Sequence, residues 1–323
     1  MSKDTDPSLV VADSLADEVR RDLTQSPKQL KPHYLYDTLG SRLFEAICAL
    51  PEYPITRAEH GLLDTHAEAI SADMAGPVTL VELGGGNGQK LAQLIEPLAR
   101  SNWGLRVELV DVSVTALDLA KQTLERFRGL PVICHETTYE LGLARVTRHR
   151  PDQGGMLVAF LGSNLGNLDS RSALGFVSVV RSVLRSGDRF LLGLDLVKPE
   201  SELLLAYDDP LGVTAAFNKN ILSRLNRELG SDFSLEHFRH HVEWNEAASR
   251  VEMHLESLCS QTVWIPGAHC RIPFADGEMI WTESSRKYQL HEIKALGAQA
   301  GFTVREQWVD TEARFAVTCF EVV

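Results

Sequence analysis

A chain of 323 residues, 44% of them apolar, is long enough for one large domain or two modest ones with a proper core. Its formal net charge of −12 argues against a nucleic-acid backbone or an anionic membrane as the main partner and favours an enzyme with a small substrate. Cys48, Cys134, Cys259, Cys270 and Cys319 are scattered and form no CxxC pair, so neither a disulfide framework nor a zinc site is suggested.

The odd cysteine count and the lack of a signal-peptide pattern fit a reducing cytoplasm. No apolar run approaches the ~20 residues that a membrane helix requires. Residues 1–30 are polar, with one helical pattern around Leu15, Val19 and Leu23, and the first few residues are expected to be disordered. The stretch LKPHYLYDTLGSRLFEAICAL (30–50) brings three aromatics, a glycine turn and a helix with Leu43, Phe44, Ile47 and Leu50 inward. PEYPI breaks that helix, and Thr56 with Glu59 reads as a capping box for the next.

From Val78 the pattern alternates. Strands are predicted at 78–83, 106–112, 130–136, 155–161 and 189–197, and helices near 89–99, 114–127 and 170–185, the last two with Ser113 and Asp169 as N-caps. Short buried strands between helices imply an α/β, doubly wound parallel sheet, with ligands at the carboxyl ends of the strands. After Lys198-Pro199 the alternation stops: a helix near 213–229 and several strand-like segments read as a second, smaller α+β domain. A helix at 286–299 and two strands, FTVREQWV and ARFAVTCFEVV, then return to the sheet.

The segment VTLVELGGGNGQK (78–90) joins a buried strand to a helix through four glycines, more than an ordinary link needs. Gly84-x-Gly86-x-Gly88 misses the dinucleotide spacing GxGxxG, which disfavours NAD. Acidic residues close both the first strand (Glu82) and the second (Asp111), the latter placed to bind a ribose. S-adenosylmethionine is therefore favoured.

Further along, FLGSNLGNL (160–168) reads as a ligand loop at a strand end. In YDDPLGV (207–213) at least one of Asp208 and Asp209 is expected to cap the following helix. His237, His240 and His241 invite a metal reading, but no companion ligand is evident at suitable spacing, so a solvated strand face and no metal site are expected. Glu283 and Ser285 in TESSRK share one face of a strand end, which suits a small polar heterocycle.

Several motifs together resemble the bacterial L-histidine Nα-methyltransferases of ergothioneine biosynthesis: LYDTLGSRLFEAICALPEY (35–53), ELGGGNGQK (82–90), LVDVS (109–113), FLGSNLGNL (160–168), the AYDD…GVTAAFNKNIL run (206–222), VEMHLES (251–257) and WTESSRKY (281–288). The resemblance implies a Rossmann-like, class I methyltransferase that adds up to three methyls to the α-amine of L-histidine, giving hercynine. Gly84, Lys90 and Asp111 would bind S-adenosylmethionine, with Thr138 and Tyr139 standing where the family carries an acidic residue for the adenine. Tyr53, Asn167 and Tyr207 would hold the amino acid, Glu283 and Ser285 the imidazole, and Met253 would wall the ring. Tyr36 and the backbone at Gly162 would lie near the reacting amine. The family's two domains would correspond to 60–198 with 286–323, and to 1–59 with 199–285. Where the family reads LPEYYPTR this chain has LPEYPITR, so Pro54 and Ile55 alter the wall beyond Tyr53. A cytoplasmic enzyme without nucleic-acid or membrane partners is expected, with a monomer as the default state. The competing readings are the same chemistry on another amine and a non-catalytic relative.

Overall fold

The computed structural model describes residues 14–74, 76–101, 104–151 and 153–323. The expected disorder of the first few residues lies outside them. Helix α1 (Leu15–Thr24) leads through a two-residue strand β1 (Lys28–Gln29) to α2 (Thr38–Ala49) and α3 (Ile55–Ser71). Asp37 caps α2 by accepting from the Gly40 amide at 2.7 Å. The capping box expected from Thr56 and Glu59 does not form. Pro54, with φ already near the helical value, starts α3 at Ile55, so both residues lie inside the first turns, and Glu59 is fully buried instead.

The alternating region runs β2 (Val78–Leu83), α4 (Gln89–Ser101), β3 (Arg106–Asp111), α5 (Val114–Leu124), β4 (Val132–Glu136), α6 (Tyr139–Arg148), β5 (Gly155–Phe160), α7 (Ser170–Val183) and β6 (Arg189–Asp195). After α8 (Glu200–Tyr207) and α9 (Val213–Leu229) come β7 (Phe238–Asn245), β8 (Arg250–Ser257), β9 (Gln261–Ile265), β10 (Cys270–Phe274) and β11 (Met279–Arg286). The chain closes with α10 (Leu290–Gln299), β12 (Thr303–Asp310) and β13 (Phe315–Glu321).

The large sheet has the order β12-β13-β6-β5-β2-β3-β4. The strands β6-β5-β2-β3-β4 are parallel, and β13 adds antiparallel to β6; β12 pairs antiparallel with β13 because the short turn between the two leaves no room for a crossover. Successive residues of β2 feed two cores. Val78 and Leu80 pack toward α3, α4 and α5, while Val81 and Leu83 pack toward α6 and α7. The chain crosses the sheet between β3 and β5 on either side of β2, so the topological switch point lies at the carboxyl end of β2. Ser113 and Asp169 cap α5 and α7 as expected. Helices α6 and α8 have no counterpart in the sequence reading: only Gly142, Leu143 and Val146 are buried in α6, too few for a clear stripe. Strand β4 is not buried but an exposed edge, with Ile133 43% and Cys134 also accessible.

A second sheet, β1-β11-β8-β7, stands beside the first, with the β9–β10 hairpin attached. Glu283 pairs with Met253 and Trp281 with His254, so alternate residues of β8 and β11 face opposite sides. The core below α3 and α4 runs on without a break to Phe217, Val251, Met253 and Ile280 of this second sheet. The boundary expected at residue 59 falls within α3, which packs on α4 and β13. Among the described residues no helix is long and apolar enough to cross a membrane.

Candidate active site

The glycine turn after β2 packs against its own strand and the neighbouring loops. Gly84 has φ +69°, and a Cβ there would sit 2.6 Å from the Tyr139 hydroxyl, so Tyr139 closes over the loop and any side chain at Gly84 would displace it. A Cβ on Gly85 would lie 2.1 Å from Glu82 Oε2, which places the Glu82 carboxylate directly under the loop. Both Glu82 oxygens are buried without a hydrogen-bond partner. Burial pushes this carboxyl up to about 7, against the opposing pull of the Lys90 ammonium. At the end of β3, Asp111 accepts from the Ser113 amide at 2.8 Å, and burial raises it to about 6. Thr138 is the N-cap residue of α6 but makes no side-chain cap bond.

Lys90 is engaged from within. Its Nζ donates to Glu59 Oε2 at 2.7 Å, while the Gly162 amide donates to both Glu59 oxygens at 2.8 and 2.9 Å. Glu59 thereby joins α3, α4 and the turn after β5, where Gly162 (φ +76°) and Ser163 (φ +61°) both take left-handed conformations. Sequence reasoning missed this role because the Thr56/Glu59 spacing imitates a capping box. The close fit is visible at Gly193, where a Cβ would fall 1.8 Å from Glu59 Oε1.

Beyond that turn lies a pocket lined by Tyr36, Tyr53, Gly162, Asn167, Tyr207, Met253, Glu283 and Ser285, together with Phe44, Ile47, Asn164 and Phe217. Eight expected residues thus converge from the turn before α2, the loops after α2 and β5, α8, β8 and β11. Tyr36 sits edge-on to Phe44 (5.6 Å between centroids) and Phe217 (5.5 Å), and Tyr53 edge-on to Tyr207 (6.1 Å). Phe44 and Phe217 look like core positions in the sequence, because a pocket wall and a core share the same helical periodicity.

The polar end of the pocket is one connected cluster. Asn167 Nδ2 donates to Glu283 Oε1 at 3.3 Å, and Tyr36 also hydrogen-bonds this carboxyl. Burial pushes Glu283 up to about 7, with Lys287 and the Tyr36 hydrogen bond pulling the other way. Lys287 was not foreseen. It is fully buried and donates to Tyr207 Oη (2.7 Å), Ser285 Oγ (2.9 Å) and Asp195 Oδ2 (2.8 Å). Tyr207 in turn donates to Ser285 Oγ at 2.7 Å. With both of those contacts accepted, the Ser285 hydroxyl keeps its own proton free to donate. The paired sites expected for the carboxylate (Asn167, Tyr207) and the imidazole (Glu283, Ser285) therefore touch each other.

Two further expectations meet the structure here. Asp209 caps α9, accepting from the Val213 and Thr214 amides at 3.0 and 2.7 Å. His240 is not on a solvated face. It is buried, accepts from Asn218 Nδ2 and donates to the Tyr207 carbonyl, each at 2.9 Å, so it holds the backbone of a pocket residue. Only His241 and His237 are accessible, because the strand begins at Phe238 and its alternation buries His240.

A family model described as "Histidine-specific methyltransferase, SAM-dependent" matches residues 15–322. The chain belongs to this family. Two histidine N-alpha-methyltransferases are similar along its whole length: one from Mycolicibacterium smegmatis, 38% identical, covers 96% of this chain and 96% of that protein, and one from Mycobacterium tuberculosis, 37% identical, covers 94% of each. "Ergothioneine biosynthesis protein 1" of Neurospora crassa is 29% identical over 87% of this chain, which corresponds to 32% of that longer protein. The residues present fit the methyl donor of a SAM-dependent, histidine-specific methyltransferase. A cradle that admits no Cβ at Gly84, the orphaned carboxylate of Glu82 and the acidic end of β3 at Asp111 together suit a neutral, hydroxyl-bearing nucleoside with a cationic centre.

Proposed function

We propose that this protein methylates the α-amino nitrogen of L-histidine, repeatedly and up to the trimethylated betaine hercynine, as the first step of ergothioneine biosynthesis. The carrying observation is the placement of Glu283 and Ser285 on one face of β11 inside an aromatic-walled pocket. A neutral imidazole offers one N–H donor and one acceptor nitrogen. Glu283 accepts from the first, and the free Ser285 proton meets the second, while Met253 packs against the ring. An apolar side chain in the same place would leave both groups buried and unpaired, which is the strongest form of discrimination available to such a site.

S-adenosylmethionine supplies an electrophilic methyl on a sulfonium. Gly84, Lys90, Asp111, Thr138 and Tyr139 form its cradle, Asp111 through the ribose hydroxyls. Asn167 and Tyr207 hold the substrate carboxylate, Tyr207 by turning its one hydroxyl proton from Ser285 Oγ to it while Lys287 goes on donating to both hydroxyls, and Tyr53 closes the wall next to Tyr207. Tyr36 and the Gly162 turn flank the amine. Enclosure and the neighbouring Glu283 hold the Tyr36 hydroxyl well above its usual pKa, so it stays protonated and moves the amine proton only by relay toward that carboxyl. As methyls accumulate, the nitrogen becomes a cation for which the faces of Tyr36, Phe44 and Phe217 are the natural surface. In this reading the seven-stranded sheet with residues 60–198 and 286–323 carries the donor, and 1–59 with 199–285 contributes the substrate wall. Helix α3 moves with the first unit because it packs on α4 and β13.

Incubation with S-adenosylmethionine and histidine, tryptophan or other amino acids, followed by mass spectrometry, tests the reading. One to three methyls on histidine alone are expected. Methylation of another amine instead would overturn the substrate and direct attention to Pro54 and Ile55. Replacing Asp111 by Asn should weaken S-adenosylhomocysteine binding about 10- to 100-fold, the loss of a hydrogen bond to a charged acceptor, with little effect on histidine affinity. Calorimetric titration of both ligands checks this.

A further inference from the structure

The outer face of β7 and β8 carries a second cluster of ligating side chains that the methylation site does not use. The register pairs His241 with His254 and Glu243 with Glu252, and strand alternation turns all four away from Val242 and Met253. The companions missing from the sequence reading of His241 thus lie across the ladder, on the neighbouring strand. His254 Nε2 stands 3.4 Å from Glu252 Oε2 and 3.6 Å from Glu243 Oε1. One ligand atom from each of these three residues lies within 4.8 Å of the others. His241 Nε2 approaches the same group, 4.0 Å from Glu243 Oε2.

These separations exceed the ~2.7–3.2 Å of an N–H···O bond. The two His254 distances match the edge of a tetrahedron around an ion held at ~2.0–2.2 Å by nitrogen and carboxylate oxygen, which is about 3.3–3.6 Å. A second observation is independent of that geometry. Both ring nitrogens of His254 are buried without a hydrogen-bond partner, a condition that a native imidazole rarely tolerates. The Glu252 carboxylate is oriented from behind: its Oε1 accepts from Arg250 Nε at 2.6 Å and Asn245 Nδ2 at 2.8 Å, leaving Oε2 toward His254. Such outer hydrogen bonds are what orient the carboxylates of metal centres. Trp281 covers the other side of the His254 ring at 6.3 Å.

We propose that His254, Glu252 and Glu243, with His241 turning in as a fourth ligand, bind one divalent transition cation of the zinc type on the face of the sheet opposite the substrate pocket. Bound there, the ion ties β7 to β8 behind the strand that carries Met253. The arrangement of two histidines and two carboxylates on adjacent strands suits zinc or cobalt better than calcium or magnesium, which prefer all-oxygen shells.

Tag-free, chelator-treated protein titrated with Co²⁺ reads the site directly. One equivalent is expected to give the intense visible absorption of tetrahedral cobalt, displaced by Zn²⁺, without the ultraviolet thiolate band that binding at an exposed cysteine such as Cys134 would produce. Glu243→Ala and His241→Ala are accessible positions away from the pocket, at 52% and 38% side-chain exposure, so these variants should remain folded. Each is expected to weaken the ion by about 10-fold or more, at least the loss seen when only an outer partner is removed. Zn²⁺ should also raise the Tm of the parent protein and not that of the Glu243→Ala/His241→Ala double variant. Absence of stoichiometric cobalt binding, or a spectrum unchanged in the double variant, would overturn the proposal.

Discussion

Replacing Glu283 by alanine is expected to raise the KM for histidine about 100-fold, the scale of a lost hydrogen bond to a charged group in a buried site, while S-adenosylhomocysteine binding stays within about 2-fold. The two effects separate because Glu283 belongs to β11 and the pocket wall, whereas the donor cradle is built from the ends of β2 and β3. Steady-state kinetics with histidine varied, beside calorimetry with the cofactor product, decide it; an unchanged KM would remove Glu283 from substrate recognition. The same residue predicts a pH dependence. Its carboxyl, pushed up to about 7 by burial, ionises later in the folded chain than in the unfolded one, whose value is near 4.5. The resulting contribution to stability is fully present below about 4.5 and is lost as pH rises through 7. Glu283→Gln should therefore show a flatter urea midpoint between those limits than the parent protein. Histidine binding moves the opposite way, since an imidazole N–H pairs best with the ionised carboxylate: the parent's affinity should improve as pH climbs through about 7, and the glutamine variant should keep only the titration of histidine itself.

What could be read in advance divides along physical lines. β2 and β5 are apolar runs buried on both faces, and the turns that follow them are rich in glycine, so the sheet core and its ligand end were legible. Glu283 and Ser285 stand out locally as one face of a strand end, whereas Tyr36, Tyr53, Asn167, Tyr207 and Met253 receive their roles only through a family resemblance, and the fold gathers all seven into one pocket. Residues whose meaning depends on a distant partner stayed hidden. Glu59 resembles a cap until the Gly162 amide is seen to need an acceptor, and Lys287 resembles a solvated strand-end charge until Asp195 appears beside it. His254 resembles an ordinary outward strand residue until the register brings His241 opposite. Periodicity reports burial, and pairing across elements is outside its reach.

Asp195 carries the largest expected effect on stability. It ends β6 and is buried between two ammonium groups, Lys198 at 2.6 Å and Lys287 at 2.8 Å, both themselves buried. Lys287 in turn passes its remaining protons to Tyr207 and Ser285, so this carboxylate anchors the donor chain that ends in the pocket. Asp195→Asn keeps the volume and removes the charge, leaving two ammonium ions without a counter-charge in a medium that solvates them poorly. The expected cost is about 3–5 kcal/mol, the range for breaking a buried ion pair from one side. Burial lowers the Lys287 pKa, and Asp195 and Tyr207 more than reverse this, holding it above the ordinary lysine value. A raised folded value means that this stabilisation is complete below about 10.5, so the loss should be seen in full at neutral pH. Adding Lys287→Met to the asparagine variant removes one of the stranded charges, and the double variant should recover at least about 1 kcal/mol relative to strict additivity. Urea unfolding of the four proteins in this cycle measures the coupling. A sum that is simply additive would mean that Asp195 does not act through Lys287. The same four proteins also bear on specificity: all three variants, which lose the Lys287–Asp195 pair, should bind histidine more weakly, because Tyr207 and Ser285 are no longer held by the Lys287 ammonium.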